Sequence, residues 1–124
     1  MCLFIVSTAY LVDGSFNPDA DYEKNRMYPF YGVYYGQSAL PLKPDTMYYI
    51  TNNDTEKARV YYYNTNSFRK IYKPNSFKGL DPYNVFLSGP VAMLTIENEN
   101  AIQDKELIIF RDSFGSSLAP LLIT

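Results

Sequence analysis

Unbroken apolar runs lie near the two ends of this chain, and aromatic and β-branched residues interrupted by Gly and Pro fill its middle. The opening run MCLFIVSTAYLV has the length and composition of a buried strand and is too short to cross a bilayer. Near the other end Leu107 to Phe110 (LIIF) is also continuous, which predicts an interior, parallel strand buried on both faces. A polar turn, Arg111-Asp112-Ser113, follows it. Beyond Gly115-Ser116-Ser117, the spacing of Leu118, Leu121 and Leu122 puts three leucines on one face of a helix. Pro120 restricts that helix, because a proline deep inside would clash with the carbonyl four residues back. The helix therefore starts late, near Ser116 or Ser117, or is kinked.

Between the ends, Asp13 to Met27 has a loop composition with a turn signal at Asn17-Pro18. The stretch MYPFYGVYYGQSALPLKPD reads as an irregular covering segment, broken by Gly32, Gly36, Pro41 and Pro44. Residues 46–51 (TMYYIT) and 58–63 (ARVYYY) read as strands, and NNDTEK between them as the loop of a hairpin. A third strand is predicted at Phe68 to Tyr72, then a loop through Pro74, Gly79 and Pro82. YNVFLSGP and AMLTIEN read as two short extended pieces, with NENAIQDKE as a polar connection. No segment repeats.

Composition narrows the function classes. A chain of 124 residues with 47% hydrophobic and 19% charged residues fits one small folded domain, residues 1–124. Its net charge of -2 and scattered Lys and Arg residues provide no basic stripe for a phosphate backbone, so nucleic acid is not an expected partner. The single cysteine, Cys2, forms no internal disulfide, and without Cys or His clusters neither a metal nor a cofactor is expected. The opening run lacks the basic start and cleavage site of a secretory signal. Thirteen Tyr and eight Phe stand beside no Trp and no His, and the missing histidine removes the commonest general base near neutral pH.

The chemistry points to the end of the LIIF strand. In open α/β sheets ligands bind beyond the carboxyl ends of parallel strands, where loops converge. Ser113 falls at such a position and is a candidate nucleophile, with the amides of Ser113, Phe114 and Gly115 as candidate oxyanion donors. Gly115 would let the backbone approach a substrate closely. Asp and Ser are equally favoured as helix caps, and spacing alone favours capping, with Asp112 a cap or a partner for Arg111. Tyr34, Tyr35, Tyr48, Tyr49, Tyr61, Tyr62 and Tyr63 are candidates to line a sugar-binding groove, although strand alternation places half of them in a core.

The segment RDSFGSSLAPLL resembles the block of the DHHW family in which a buried strand delivers an Asp-Ser pair and then a helix with an apolar-Pro-apolar step. PFYGVYYGQSALPLKPDTMYY and DPYNVFLSGPVAMLTIENENA are similar to further blocks of that family, in its order, so the resemblance covers most of residues 29–122. It implies a strand-rich α/β fold, part of a flavodoxin-like SGNH-type domain, ending in a strand, turn and helix that carry the serine. It also implies an extracytoplasmic or membrane-associated protein acting on acyl or acetyl esters of a cell-envelope polysaccharide. Ser113 then matches the nucleophile, with Asp112 in support, and Gly89 of LSGP matches a loop glycine beside the site. Where SGNH enzymes often carry an oxyanion-hole Asn, this chain has Pro90 or Val91.

The Asp-His-His-Trp motif that names the family is absent. The resemblance therefore implies a C-terminal fragment that is inactive alone, with an exposed sheet edge through which it self-associates. The alternative is a non-catalytic, β-rich module that binds carbohydrate or protein through its tyrosine-bearing surface.

Overall fold

The computed structural model describes residues 2–7, 21–32, 35, 41–101 and 106–123. The opening run contributes β1 (Cys2–Ser7), while its residues 8–12 lie outside the described residues. β2 (Glu23–Phe30) and β3 (Asp45–Thr51) pair antiparallel as a two-stranded sheet. The expected loop up to Met27 is thus a strand from Glu23 onward. Its register slips between Met27 and Phe30, where Pro29 has no N–H to give the ladder.

A second sheet holds five strands in the order β5-β4-β6-β1-β7, with β4 at Arg59–Tyr62, β5 at Ser67–Arg69, β6 at Met93–Glu97 and β7 at Glu106–Arg111. β1 runs parallel to β6 and antiparallel to β7. The fold is therefore mixed and strand-rich, with short helical pieces only among the described residues.

The predicted hairpin does not form, although both of its strands do. α1 (Asn53–Lys57) stands between them and leads the chain from one sheet to the other. The cause is a capping box: Asn52 Oδ1 accepts from the Thr55 amide at 2.9 Å, and Thr55 Oγ1 accepts from the Asn52 amide at 2.8 Å. Asp54 and Glu56 in the first turn add a favourable interaction with the helix dipole.

β7 departs from its expectation in two ways. It is antiparallel and stands at the end of the sheet among the described strands, and its burial alternates, with Ile108 and Phe110 exposed and Leu107 and Ile109 packed against the core. One face of LIIF is covered and one is bare. An apolar run alone does not distinguish these cases, because burial of the second face depends on what packs over it.

The main core lies under the covered face. Val60 and Tyr62 of β4 and Leu94 and Ile96 of β6 point into it, joined by Ile71, Leu87, Val91, Ala119 and Ile123. Residues 74–78 and 82–85 form two 3₁₀ turns, so YNVFLSGP is helical and then looped where an extended piece was expected. A second cluster around Met47, Val85 and Phe86 joins β3 to these turns, and Tyr72 packs against both clusters.

Candidate functional site

The loop from Phe86 to Val91 supplies one wall of a cleft. Its backbone takes left-handed φ values at three successive residues, Leu87 (49°), Ser88 (57°) and Gly89 (78°). Two of them are not glycine, so the conformation persists only because neighbours enforce it. Leu87 is fully buried and donates its amide to Ile71 O at 3.1 Å, the Gly89 amide donates to Phe86 O at 3.0 Å, and Tyr62 Oη donates to Ser88 Oγ at 3.2 Å. A Cβ at Gly89 would lie 2.0 Å from Asn84 Oδ1, which makes glycine the residue this wall can accept.

The opposite wall comes from the end of β7. α2 (Gly115–Leu118) passes into a 3₁₀ turn at Ala119–Leu122, and Pro120 sits in that turn's first positions, where its missing N–H costs no hydrogen bond. The buried side of this segment is Ser116, Ala119 and Pro120, with Ile123 beyond it. The leucine face is not the packing face, since Leu118 is exposed. Small residues face inward because the helix lies tight against β7: a Cβ on Gly115 would sit 2.4 Å from Arg111 Cβ. Gly115 thus admits the Arg111 side chain, where sequence reasoning had it admit a substrate. Because that Cβ is fixed to the strand backbone, Gly115→Ala is expected to cost about 1–3 kcal/mol by overpacking. Chemical denaturation would measure it, and an unchanged midpoint would show that the helix shifts freely.

Between these walls is a cleft of about 400 Å³ lined by Asp81, Tyr83, Asn84, Gly89, Pro90, Arg111, Asp112, Ser113 and Ser116. Ser113 lies in the turn after β7, as expected, and is exposed. Gly89, distant in sequence, lies in the same cleft. Phe114 is largely exposed and does not line it. The Gly89 amide, a further candidate for the oxyanion, is held by Phe86 O, and among the proposed donors the Gly115 amide is held by Asp112 Oδ1 at 3.1 Å. Asp112 therefore closes the turn ahead of the helix through this one bond. The amides of Ser113 and Phe114 donate to no group among the described residues.

Arg111 was not proposed from sequence as a cleft residue, yet it organises the cleft. Its side chain is buried, donates through Nη1 to Ser116 Oγ and through Nη2 to Gly89 O at 3.3 Å, and so ties strand, helix and loop together. The odd position of Arg after LIIF was the available signal: alternation from Leu107 and Ile109 puts Arg111 on the covered face. Tyr83 Oη donates to Ser117 Oγ at 2.7 Å, and Asp81 Oδ1 accepts from the Tyr83 amide at 3.0 Å. Asn84 Oδ1 is buried with no hydrogen-bond partner among the described residues. Ser113 Oγ makes no hydrogen bond to a base among the described residues, and the chain has no histidine.

The described tyrosines do not converge on one groove. Tyr62 is buried in the core, Tyr61 and Tyr63 lie on the opposite sheet face, Tyr48 is exposed under the Lys24 ammonium at 3.9 Å, and Tyr34 lies outside the described residues. Tyr49 and Tyr72 meet at 4.8 Å beside a smaller cavity of about 240 Å³ shared with Thr55, Glu56, Lys70 and Pro74. There Lys70 Nζ donates to Glu56 O, and Tyr72 Oη donates to Ile50 O at 2.8 Å. Among the described residues no cluster of three Asp, Glu, Cys or His side chains is placed to hold a metal, and no helix is long and apolar enough to cross a membrane.

No family model matches the chain, and neither a curated protein nor a solved structure is significantly similar to it.

Proposed function

We propose that this chain carries the serine-bearing part of an SGNH-type domain related to the DHHW family. The complete protein would hydrolyse or transfer acyl or acetyl groups on a cell-envelope polysaccharide, outside the cytoplasm or at a membrane. The observation that carries this reading is the shared cleft: Ser113 and Gly89, matched separately to the family's blocks, line one cavity beneath a strained loop. Left-handed backbone strain at non-glycine residues clusters at functional sites, which supports this reading. The parallel β1–β6 pair accords with a flavodoxin-like plan, and β7, antiparallel to β1, departs from it.

In this chemistry Ser113 Oγ attacks the ester carbonyl, the alcohol leaves, and water releases the acyl group from the serine. Each step needs a base to take the serine or water proton. No histidine is present to do so, and among the described residues no carboxylate is hydrogen-bonded to Ser113 Oγ. The chain alone is therefore expected to hydrolyse an activated acetyl ester no faster than Ser113→Ala does. Joined to a polypeptide that supplies the Asp-His-His-Trp motif, it should gain turnover that Ser113→Ala abolishes while circular dichroism stays the same. Serine-dependent turnover by the chain alone would show that the base is already here. Failure of the joined protein to gain any turnover would remove the esterase reading.

A further inference from the structure

The sheet has a second face, and its residues can be read off the register. Tyr61 pairs with Thr95, Thr95 with Ile5, and Ile5 with Ile108, so these positions form one row across four strands. A neighbouring row runs through Met93, Leu3 and Phe110, and Tyr63 joins this face by its hydroxyl contact with Thr95 Oγ1 at 3.2 Å. A third row runs Arg59, Glu97, Ser7, Glu106. Phe68, opposite Tyr61 on β5, extends the apolar area. Here Phe110 is 66%, Ile108 59%, Phe68 51% and Tyr63 45% exposed. A sheet whose pairs are mostly antiparallel commonly leaves one face to solvent, but that face is then normally polar, whereas this one carries large apolar side chains.

We propose that this face is a dimer interface, on which a second copy of the chain stacks its own sheet. The argument is independent of the serine chemistry. A large apolar side chain carries ~150–250 Å², so the exposed parts of Tyr63, Ile108 and Phe110 amount to roughly 300 Å². That is somewhat over a third of the ~800 Å² each partner gives to a standard interface, and Tyr61, Met93, Thr95, the charged row and Phe68 at the edge of the overlap contribute to the rest.

The charges specify how the copies meet. Arg59 and Glu106 occupy the same row at opposite sides of the four-strand span, about 14 Å apart at ~4.8 Å per strand. A two-fold axis parallel to the strands, above the boundary between β6 and β1, sets β4 of one copy over β7 of the other. Arg59 then faces the partner copy's Glu106, Tyr61 faces its Ile108, and Tyr63 faces its Phe110. The sheets remain nearly aligned and ~10 Å apart, the arrangement in which face-to-face sheets interdigitate. Arg59, already drawn to Glu97 at 3.3 Å and Glu99 at 3.0 Å, stands at the exposed rim, where a further carboxylate can reach it.

Equilibrium sedimentation of the chain over a wide concentration range tests this. A monomer–dimer equilibrium is expected, and Phe110→Asp should weaken it at least about tenfold while circular dichroism is unchanged. Glu106→Arg and Arg59→Glu should each weaken it, and the double variant Arg59→Glu/Glu106→Arg should restore it, because the charges exchange places across the axis. A monomer at every concentration would overturn the proposal. So would association indifferent to Phe110→Asp, which would locate the contact elsewhere, or a double variant as weak as the singles, which would refute this alignment.

Discussion

Leu94→Ala is expected to lower stability by about 2–5 kcal/mol, enough to leave much of a marginally stable chain unfolded. Leu94 is completely buried in β6, paired with Tyr62 across the sheet and in one core cluster with Val60, Ile96, Leu87 and Ile71. Its surroundings are also poor at collapsing into a void. Leu87 is held by a left-handed backbone and a hydrogen bond to Ile71 O, so it cannot slide inward without undoing the loop that forms the cleft wall. The cavity should therefore persist, and its cost should lie toward the upper end of that range. Urea unfolding monitored by circular dichroism gives the value. A loss below about 1 kcal/mol would mean that the loop yields and that its strain is not enforced by the core.

Alkaline pH should destabilise the fold through two tyrosines. Burial pushes the Tyr72 hydroxyl well above its ordinary value, with Tyr49, Glu56 and Tyr22 adding to the rise. Burial also raises Tyr62, and the Ser88 hydrogen bond, Arg69 and Arg111 partly oppose it. In the unfolded chain both ionise near the usual tyrosine value of about 10. Below that pH both states hold the proton and stability is undiminished. Above it the unfolded chain gives up protons the folded chain keeps, so stability falls as pH rises toward the folded values. The fall approaches about 1.4 kcal/mol per pH unit for each tyrosine held neutral. Urea midpoints measured from about pH 8 to 11 should stay level and then drop, and Tyr72→Phe should make the drop shallower. That variant also loses the bond to Ile50 O, so its midpoint starts lower at neutral pH. A midpoint that holds level to pH 11 would show that neither hydroxyl is kept from ionising by the fold.

The strands were legible where local pattern suffices. TMYYIT lies within β3, ARVYYY and AMLTIEN contain β4 and β6, and the opening run contains β1. The turn after LIIF and the position of Ser113 in it were legible for the same reason: a polar tripeptide and a glycine end an apolar run. The helical turn at Asn53–Lys57 was encoded as locally, in Asn52 and Thr55, but read as a hairpin loop because the flanking strands looked like natural partners. Gly115 was recognised as a point of close approach, while the group that approaches, Arg111, was not.

What the sequence by itself determined is a part of the local conformations: the strands within 45–51, 59–62 and 93–97, the constraint Pro120 places on its helix, and the turn after LIIF that holds a serine. Only the tertiary structure decided which strands pair, that β7 has one bare face, and that Gly89 and Ser113 share a cleft braced by Arg111. The reason is physical. Periodicity, capping and turn chemistry act over a few residues, so a short segment carries them whole. Pairing and coverage depend on surfaces contributed by distant segments, and the same apolar run satisfies an interior parallel strand or a half-covered antiparallel one until its neighbours are in place.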